Sequence, residues 1–215
     1  MEILFEDKYI IVCRKESGML SEGEGDNCLP TLIAAHLRES GATDPKVYPV
    51  HRLDRETVGA IVYALTDRAA AELSAQIQRG DFEKEYLALC HGRPEKDADT
   101  LKDLLFYDRR KGKSFAVDRK RAGVKEASLE YTVLSSVAEY SLLRVKLHTG
   151  RTHQIRVQFA SRKHPLAGDR RYGAPKSEFD TVALVAHRLS FNHPKSGERL
   201  TFTVEPPREM ADYNI

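Results

Sequence analysis

Apolar and polar positions along the chain predict strands more often than helices. The opening MEILFEDKYIIVCRK alternates and is rich in β-branched and aromatic residues, so it predicts a strand that ends near Arg14. The apolar run GAIVYAL, which begins at Gly59 and ends before Thr66, predicts a buried strand. The stretch FEKEYLALCHG over 82–92 alternates strongly and predicts another strand.

Two segments in the first half carry helix signals. Pro30 precedes the apolar-periodic stretch LIAAHLRES, and Gly41 closes it. In the second segment, Thr66 or Asp67 can cap the helix DRAAAELSAQIQR, and Gly80 ends it. Both are predicted as helices that lie between strands.

The second half is again rich in strands. ASLEYTVLSS and SLLRVKLHT predict an antiparallel pair, and VALVAHRLSF and ERLTFTVEPP predict two further strands joined by a turn. Between these pairs, TGRTHQIRVQFASRK predicts a turn and a helix in which Ile155 and Phe159 face inward while Arg151, Arg156 and Arg162 remain polar. Since strands outnumber helices and are mostly consecutive, the expected class is α+β with a largely antiparallel or mixed sheet.

Composition indicates a soluble globular protein. The 215 residues are 41% hydrophobic and 31% charged, which suits one substantial domain or two small ones. No stretch approaches the roughly 20 apolar residues that cross a bilayer, and the N-terminus does not resemble a signal peptide, so a cytoplasmic protein is expected. Cys13, Cys28 and Cys90 are far apart and are predicted to be free thiols.

Charge is unevenly distributed although the net charge is only +2. The first 30 residues carry seven acidic and three basic side chains, whereas residues 109–125 carry eight basic and one acidic. Gly112 and Gly123 suggest that this basic segment is a mobile hairpin or loop that lies along phosphates. A solvated charged loop is the alternative.

The candidate chemistry centres on VHRLDRETVGA, residues 50–60, where Asp54 stands close to His51 and Arg52. Asp54 is either a turn residue or a nucleophile. The HExxH, Walker, GxGxxG and GxSxG motifs are absent, and the histidines lack ligand spacing, which argues against a metal site. Arg151, His153 and Arg156 form a second candidate group, for which a solvated helix face is the alternative.

Five segments carry a further signal: HRLDRETVG at 51–59, KEYLAL at 84–89, GRTHQIRVQFA at 150–160, HPLAGDRRYG at 164–173 and HRLSFNHP at 187–194. Their order is the order found in RluA-type pseudouridine synthases, and the chain resembles that family over residues 51–194. The resemblance implies the pseudouridine synthase catalytic fold, with a mixed, largely antiparallel sheet flanked by helices, as a single domain over residues 1–215. It also implies conversion of uridine to pseudouridine in structured RNA without a metal or organic cofactor.

The resemblance assigns catalytic roles to three residues. Asp54 matches the nucleophile, and Arg151 matches the distant arginine that keeps it ionised. Tyr86 matches the tyrosine beside the flipped uracil, although a strand tyrosine is otherwise more often part of the core.

Four further residues are predicted to bind RNA. Arg52 resembles the side chain that fills the place of the extruded base, with a surface arginine as the alternative. Lys84 could meet a phosphate or a carboxylate in the pocket, and His153 and Arg156 complete the set. The expected partner is ribosomal or transfer RNA; neither a membrane nor a protein partner is indicated, and a monomer is expected.

The chain departs from the family pattern at three points. Val58 replaces a hydroxyl residue after the nucleophile, and Glu16 follows Lys15 where the family has proline. No S4-like RNA-binding domain is expected either, so target selection is expected to use the domain surface. A catalytically idle RNA-binding protein remains an alternative, as does a hydrolase that pairs Asp54 with Glu56.

Overall fold

The structure is a computed structural model and describes residues 1–213. Its strands are β1 (Glu2–Glu6), β2 (Ile10–Lys15), β3 (Tyr48–Pro49), β4 (Val58–Ala64), β5 (Glu83–His91), β6 (Ala98–Asp108), β7 (Lys113–Val117), β8 (Val124–Val137), β9 (Tyr140–Leu147), β10 (Leu184–Asn192) and β11 (Arg199–Thr203). Its helices are α1 (Leu29–Glu39), α2 (Asp67–Arg79), α3 (Gln154–Ala160) and α4 (Arg208–Ala211), with a 3-10 helix at Arg170–Tyr172.

The chain divides into two compact units. The first comprises Met1–Lys84 and Ala186–Glu205. The second comprises Glu85–Val185 and the segment that begins at Pro206. Strands β5 and β10 each contribute residues to both units.

In the first unit, β2 lies between β1 and β4, and β10 lies on the other side of β4 with β11 beside it. Ile10 and Val12 of β2 pack with Val62 of β4, Leu73 of α2 and Phe191 of β10 in one apolar cluster. Every residue of β4 is buried, which confirms the buried strand that its apolar run predicts. Burial of each large apolar side chain stabilises the fold by roughly 1.5–3 kcal/mol.

Helix α2 begins and ends where the sequence predicts. The Thr66 hydroxyl accepts a hydrogen bond from the backbone N–H of Ala69 at 3.1 Å, so Thr66 is the N-cap. Gly80 ends the helix with φ 85°, a left-handed conformation that glycine adopts without steric cost.

In the second unit, the strands follow the order β5, β9, β8, β6, β7, and each neighbouring pair is antiparallel. The β8–β9 pairing confirms the hairpin that alternation predicts. Leu87 and Leu89 of β5 pack with Leu142 of β9 in the larger apolar cluster. A smaller cluster joins Leu105 of β6 to Val157 of α3, so α3 packs on this sheet.

Three sequence predictions need correction. The opening segment is two strands rather than one, because Asp7 Oδ1 accepts the backbone N–H groups of Tyr9 and Ile10 at 2.8 and 2.9 Å and turns the chain. Strand β6 is not predicted by the sequence pattern. The strand β7, inside the basic segment, pairs antiparallel with β6, so the hairpin expected for this segment is present but begins in β6. Helix α3 begins only at Gln154, and Arg156 on it is buried instead of remaining on a solvated face.

The α+β class is confirmed, with a mixed sheet and helices in the described residues. The three cysteines are free, as predicted, and all three are buried. The assignment of 1–215 to one catalytic domain stays a prediction, and its last two residues lie outside the described part of the chain.

Candidate active site

Asp54 lies in the loop that leads from β3 into the buried strand β4. The residue is half-buried, and its carbonyl oxygen accepts the backbone N–H of Thr57 at 3.0 Å, which closes a tight turn over Arg55 and Glu56. The turn therefore fixes the backbone of Asp54 directly against the first residues of β4.

Lys15 holds this turn from inside the first unit. Its side chain is 0% exposed, and its Nζ donates to the carbonyl oxygens of Arg55 and Thr57, both at 2.8 Å, and of Glu16 at 3.0 Å. Burial lowers the Lys15 pKa to about 8, while the nearby Asp54 carboxylate acts in the opposite direction. This role is not among the sequence predictions, although an inward-facing lysine at the end of an apolar strand is itself a signal.

The segment 18–22 braces the outer side of the same loop. Ser21 Oγ donates to the carbonyl oxygen of Leu53 at 2.9 Å and accepts the backbone N–H of Leu53 at 3.1 Å. Gly18 N donates to the carbonyl oxygen of Arg55 at 2.8 Å. Arg52 and Asp54 lie on either side of Leu53. Their backbone is therefore held at two points, at Leu53 by Ser21 and at Arg55 by Gly18.

Gly59 allows β4 to approach its neighbour closely. A Cβ at Gly59 would lie 2.4 Å from the carbonyl oxygen of Ala186, and φ is 133°. Any side chain here would displace the start of β4. The exit of the Asp54 loop therefore requires glycine, whereas Val58 beside it is accommodated as a buried strand residue.

His51 is a structural residue of this loop. His51 lies just beyond the end of the short strand β3, and its Nε2 accepts the backbone N–H of Val62 at 3.2 Å. Because Nε2 accepts this bond, Nδ1 carries the proton of the neutral ring. Nδ1 is buried and has no hydrogen-bond partner among the described residues. Burial, followed by the nearby charge of Lys84, lowers the His51 pKa to about 3, so the ring is neutral near pH 7.

The predicted RNA-binding residues of the first unit differ in exposure. Arg52 is exposed, and its Nη1 lies 2.5 Å from Oε1 of Glu22. Lys84 is half-buried, and burial lowers its pKa. The Lys84 Nζ lies 5.9 Å from the centre of the Phe82 ring.

The second unit contains the other four predicted residues. Tyr86 on β5 is 6% exposed and lies opposite Val145 of β9. Arg151 and His153 lie in the turn before α3, and Arg156 lies on α3.

Gln154 fixes the turn that carries Arg151. Its Oε1 accepts the backbone N–H of Arg151 at 3.0 Å and the Thr149 hydroxyl at 2.7 Å, and its Nε2 donates to the carbonyl oxygen of Ser128 at 3.0 Å. The Arg151 Nε donates to the carbonyl oxygen of Glu126 at 2.9 Å, which orients the guanidinium. Gln154 is not among the residues predicted from the sequence, because its role depends on β8 being adjacent.

His153 occupies a strained backbone conformation with φ 54° just before α3. Its Nδ1 lies 3.0 Å from the Tyr172 hydroxyl, which also accepts the backbone N–H of Ser114 at 2.8 Å. Burial raises the Tyr172 pKa to about 12, so its hydroxyl keeps its proton. Strain of this kind persists where the surrounding contacts over-determine the backbone.

Arg156 is 2% exposed and forms two hydrogen bonds to Asp169, from Nε to Oδ2 at 2.7 Å and from Nη2 to Oδ1 at 2.8 Å. The alternative of a solvated helix face is therefore wrong for Arg156. Burial of an arginine requires such a partner, and Asp169 comes from the segment before the 3-10 helix.

Two other kinds of site are absent from residues 1–213. No group of three or more His, Cys, Asp or Glu side chains there could hold a metal ion. No helix in that range is long and apolar enough to cross a membrane.

Comparisons with known proteins agree with the fold and the motifs. A family model described as RNA pseudouridylate synthase matches residues 9–161. The chain is 37% identical to an RNA pseudouridine synthase of Aquifex aeolicus, over 96% of this chain and 70% of that protein. It is 35% identical to ribosomal large subunit pseudouridine synthase D of Nitrosomonas europaea, over 98% of this chain and 63% of that protein.

Solved structures agree on the fold. The human protein RNA pseudouridylate synthase domain containing 4 matches with a TM-score of 0.78 at 24% identity, over 98% of this chain and 90% of that one. The chain belongs to the RNA pseudouridylate synthase family, in its RluA-type branch. It is accordingly an RNA pseudouridine synthase, which confirms the class of enzyme that the five sequence segments predicted.

Proposed function

We propose that the protein isomerises specific uridines of a structured RNA, ribosomal or transfer RNA, with Asp54 as the nucleophile. The observation that carries this proposal is the bracing of the Asp54 turn by the buried Lys15 ammonium, which donates to the carbonyl oxygens of Arg55 and Thr57. A nucleophile needs such a fixed position. Ribosomal RNA is the first substrate to test, because relatives of this chain are named ribosomal large subunit pseudouridine synthases.

The reaction breaks the bond between uracil N1 and ribose C1′ and forms a bond between uracil C5 and C1′. The C5 proton is lost and N1 regains a proton, so no atom is added or removed overall and the step requires no external oxidant or reductant. The Asp54 carboxylate attacks either ribose C1′ or uracil C6, or assists elimination. All three routes leave Asp54 regenerated at the end.

Base extrusion accounts for the proposed role of Arg52. The target uridine leaves the RNA stack at a cost of a few kcal/mol, and the Arg52 guanidinium fills the vacated place. The exposed pair between Arg52 and Glu22 supports this proposal, because an exposed ion pair of this kind contributes only about 0–1 kcal/mol and can be exchanged for contacts with RNA.

The remaining roles rest on the family motifs. We propose that Tyr86 contacts the flipped uracil and that Arg151 favours the ionised form of Asp54. Lys84 and His153 are proposed to contact RNA. For Arg156, burial against Asp169 favours an indirect contribution to RNA binding, through the position of α3.

The test is tritium release from RNA labelled at uracil C5. Wild-type protein is expected to release label from at least one RNA of a matched cellular extract, and Asp54→Asn is expected to release none, since the amide is not a nucleophile. Asp44→Asn, a carboxylate paired with Lys46 on the surface, is the matched control and should behave as wild type.

Product analysis separates the alternatives. Pseudouridine in the digested RNA supports the proposal. Free uracil or abasic RNA would instead indicate a hydrolase, and binding without release from any RNA would indicate an idle RNA-binding protein. Release by Asp54→Asn at the wild-type rate would remove Asp54 from the mechanism.

A further inference from the structure

The hairpin of β6 and β7 presents one exposed aromatic side chain next to the turn that carries His153. The exposed large apolar side chains of residues 1–213 are Met1, Leu20 and Tyr107, and Tyr107 is 40% exposed. Its ring lies 6.4 Å from the His153 ring, centre to centre, at 88°. An exposed tyrosine in this position is not explained by the core of the second unit.

The backbone beneath Tyr107 is held firmly. Tyr107 lies opposite Ser114 on β7, and Ser114 is buried. The Ser114 Oγ donates to the carbonyl oxygen of Thr152 at 2.5 Å, and its N–H donates to the Tyr172 hydroxyl at 2.8 Å. These bonds connect the strand opposite Tyr107 to Thr152, the residue before His153, and to Tyr172, whose hydroxyl also contacts His153.

The other aromatic rings of the hairpin are already covered by cations. Phe106 and Phe115 lie opposite each other in the register. The Arg121 guanidinium lies 4.9 Å from the Phe106 ring centre, and the Lys111 Nζ lies 5.5 Å from that of Phe115. No cation stacks on Tyr107 in the described residues, and the exposed part of the residue is accessible to a ligand.

Three cationic residues follow Tyr107 closely along the chain. Arg109, Arg110 and Lys111 are exposed in the turn between β6 and β7. The Asp108 Oδ1 accepts the backbone N–H groups of Arg110 and Lys111 at 2.9 and 3.1 Å, and its one negative charge leaves the turn with a positive balance. An aromatic ring beside several exposed cations is the arrangement that binds single-stranded nucleic acid.

We propose that Tyr107 is a stacking platform for an unpaired base of the RNA, while Arg109, Arg110 and Lys111 contact the phosphates beside that base. This inference rests on the proposed function, because it takes RNA as the substrate. It adds a requirement that the family motifs do not contain: the substrate RNA has an unpaired nucleotide that the second unit binds. Base stacking on an aromatic side chain tolerates any sequence, so the platform selects unpaired RNA rather than a particular base.

The absence of tryptophan from the chain makes a direct test possible. In Tyr107→Trp, the single indole becomes a reporter of base stacking. Its fluorescence is expected to be quenched by an oligouridylate of about eight nucleotides and to be unchanged by the same ribose-phosphate chain without bases. Phe115→Trp, in which the ring lies beneath Lys111, is the matched control and should be quenched much less.

Affinity supplies the second readout. Tyr107→Ser is expected to weaken binding of the base-bearing oligouridylate by about tenfold and to leave binding of the abasic chain unchanged, whereas Tyr107→Phe should retain wild-type affinity. Equal binding by wild type and Tyr107→Ser, or equal weakening for both probes, would overturn the inference. Circular dichroism of each variant establishes that the fold is retained.

The outcome is separable from that of the proposed function. Binding and quenching are measured in the Asp54→Asn background, where no turnover is expected, and do not depend on tritium release. If tritium release fails while RNA still quenches the Tyr107→Trp fluorescence, the stacking platform is supported and the isomerase proposal fails. If release succeeds without quenching of Tyr107→Trp, the stacking platform alone is wrong.

Discussion

Arg156 and Asp169 form a buried ion pair with two parallel hydrogen bonds, in which the two side chains are 2% and 0% exposed. The guanidinium carbon also lies 5.3 Å from the centre of the Tyr172 ring. The pair thereby connects α3 to the 3-10 helix that supplies Tyr172, and Tyr172 in turn contacts His153.

Breaking this pair should destabilise the fold. Asp169→Asn is expected to lower the free energy of unfolding by about 3–5 kcal/mol, because it leaves a buried guanidinium without its counter-charge. Urea denaturation followed by circular dichroism measures the change. Asp44→Asn, which removes one member of an exposed pair, should alter stability by less than about 1 kcal/mol.

The double variant Arg156→Met with Asp169→Leu tests whether the loss of stability comes from an unpaired buried charge. Since it removes both charges, it should lose less stability than Asp169→Asn alone. A double variant that is less stable than Asp169→Asn would contradict the argument from buried charge.

Ser21 is predicted to position Asp54, the proposed nucleophile. Ser21→Ala removes both hydrogen bonds to the Leu53 backbone and leaves buried polar groups unsatisfied, at a cost of about 1–3 kcal/mol. We expect kcat for pseudouridine formation to fall by about tenfold with little change in KM, because the bond network serves the reacting geometry. Steady-state tritium release measures both constants.

Two control variants accompany Ser21→Ala. Ser21→Thr keeps the hydroxyl and should recover most of kcat, and Ser40→Ala at the exposed end of α1 should match wild type. A Ser21→Ala protein that loses stability but keeps its kcat would show a structural role only.

His51 should make the stability depend on acid. Its folded pKa of about 3 is below the ordinary value of 6.5, so between these values the unfolded chain binds more protons than the folded one. The stabilising contribution of the neutral His51 is therefore fully present above pH 6.5. The free energy of unfolding decreases as the pH falls from 6.5 towards 3. The limiting slope for one such group is about 1.4 kcal/mol per pH unit.

His51→Gln removes the titration while its side-chain oxygen can still accept the Val62 N–H. Urea unfolding at several pH values should give a wild-type curve that is steeper in acid than the variant curve. His36→Gln, which removes a histidine paired with Glu6 at the surface of α1, is the control. A difference between wild type and His51→Gln that is constant with pH would refute the assignment.

The basic turn of the β6–β7 hairpin should contribute to the salt dependence of RNA binding. Replacing Arg109, Arg110 and Lys111 with glutamine is expected to weaken RNA binding and to reduce the slope of log K against log salt by about 0.7 for each phosphate that the turn no longer neutralises. Titrations at several salt concentrations measure the slope. Lys195→Gln, in the exposed turn before β11, should leave it unchanged.

An unchanged affinity and slope in the triple variant would identify the turn as a solvated loop. This outcome would also remove the phosphate contacts of the stacking proposal, although quenching of Tyr107→Trp would still report the base contact.

Local sequence was sufficient for the elements whose signals lie within a few residues. Helix α2 follows from the Thr66 cap and Gly80, and β4 follows from its uninterrupted apolar run. The family and its class of chemistry also came from the sequence, because the five motifs keep their order along the chain. Alternation in β5, β8 and β9 was equally informative, since side chains on a strand point to opposite faces.

Only the tertiary structure decided what surrounds the motif residues. Lys15 contacts Arg55 and Thr57 across 40 and 42 positions of sequence, and Gln154 reaches Ser128 across 26, so no local pattern reveals either contact. The same holds for Arg156, which the sequence presents as a polar helix residue and the fold buries against Asp169. Burial and partner are properties of the packed chain, and they determine whether a charged side chain binds a ligand or stabilises the fold.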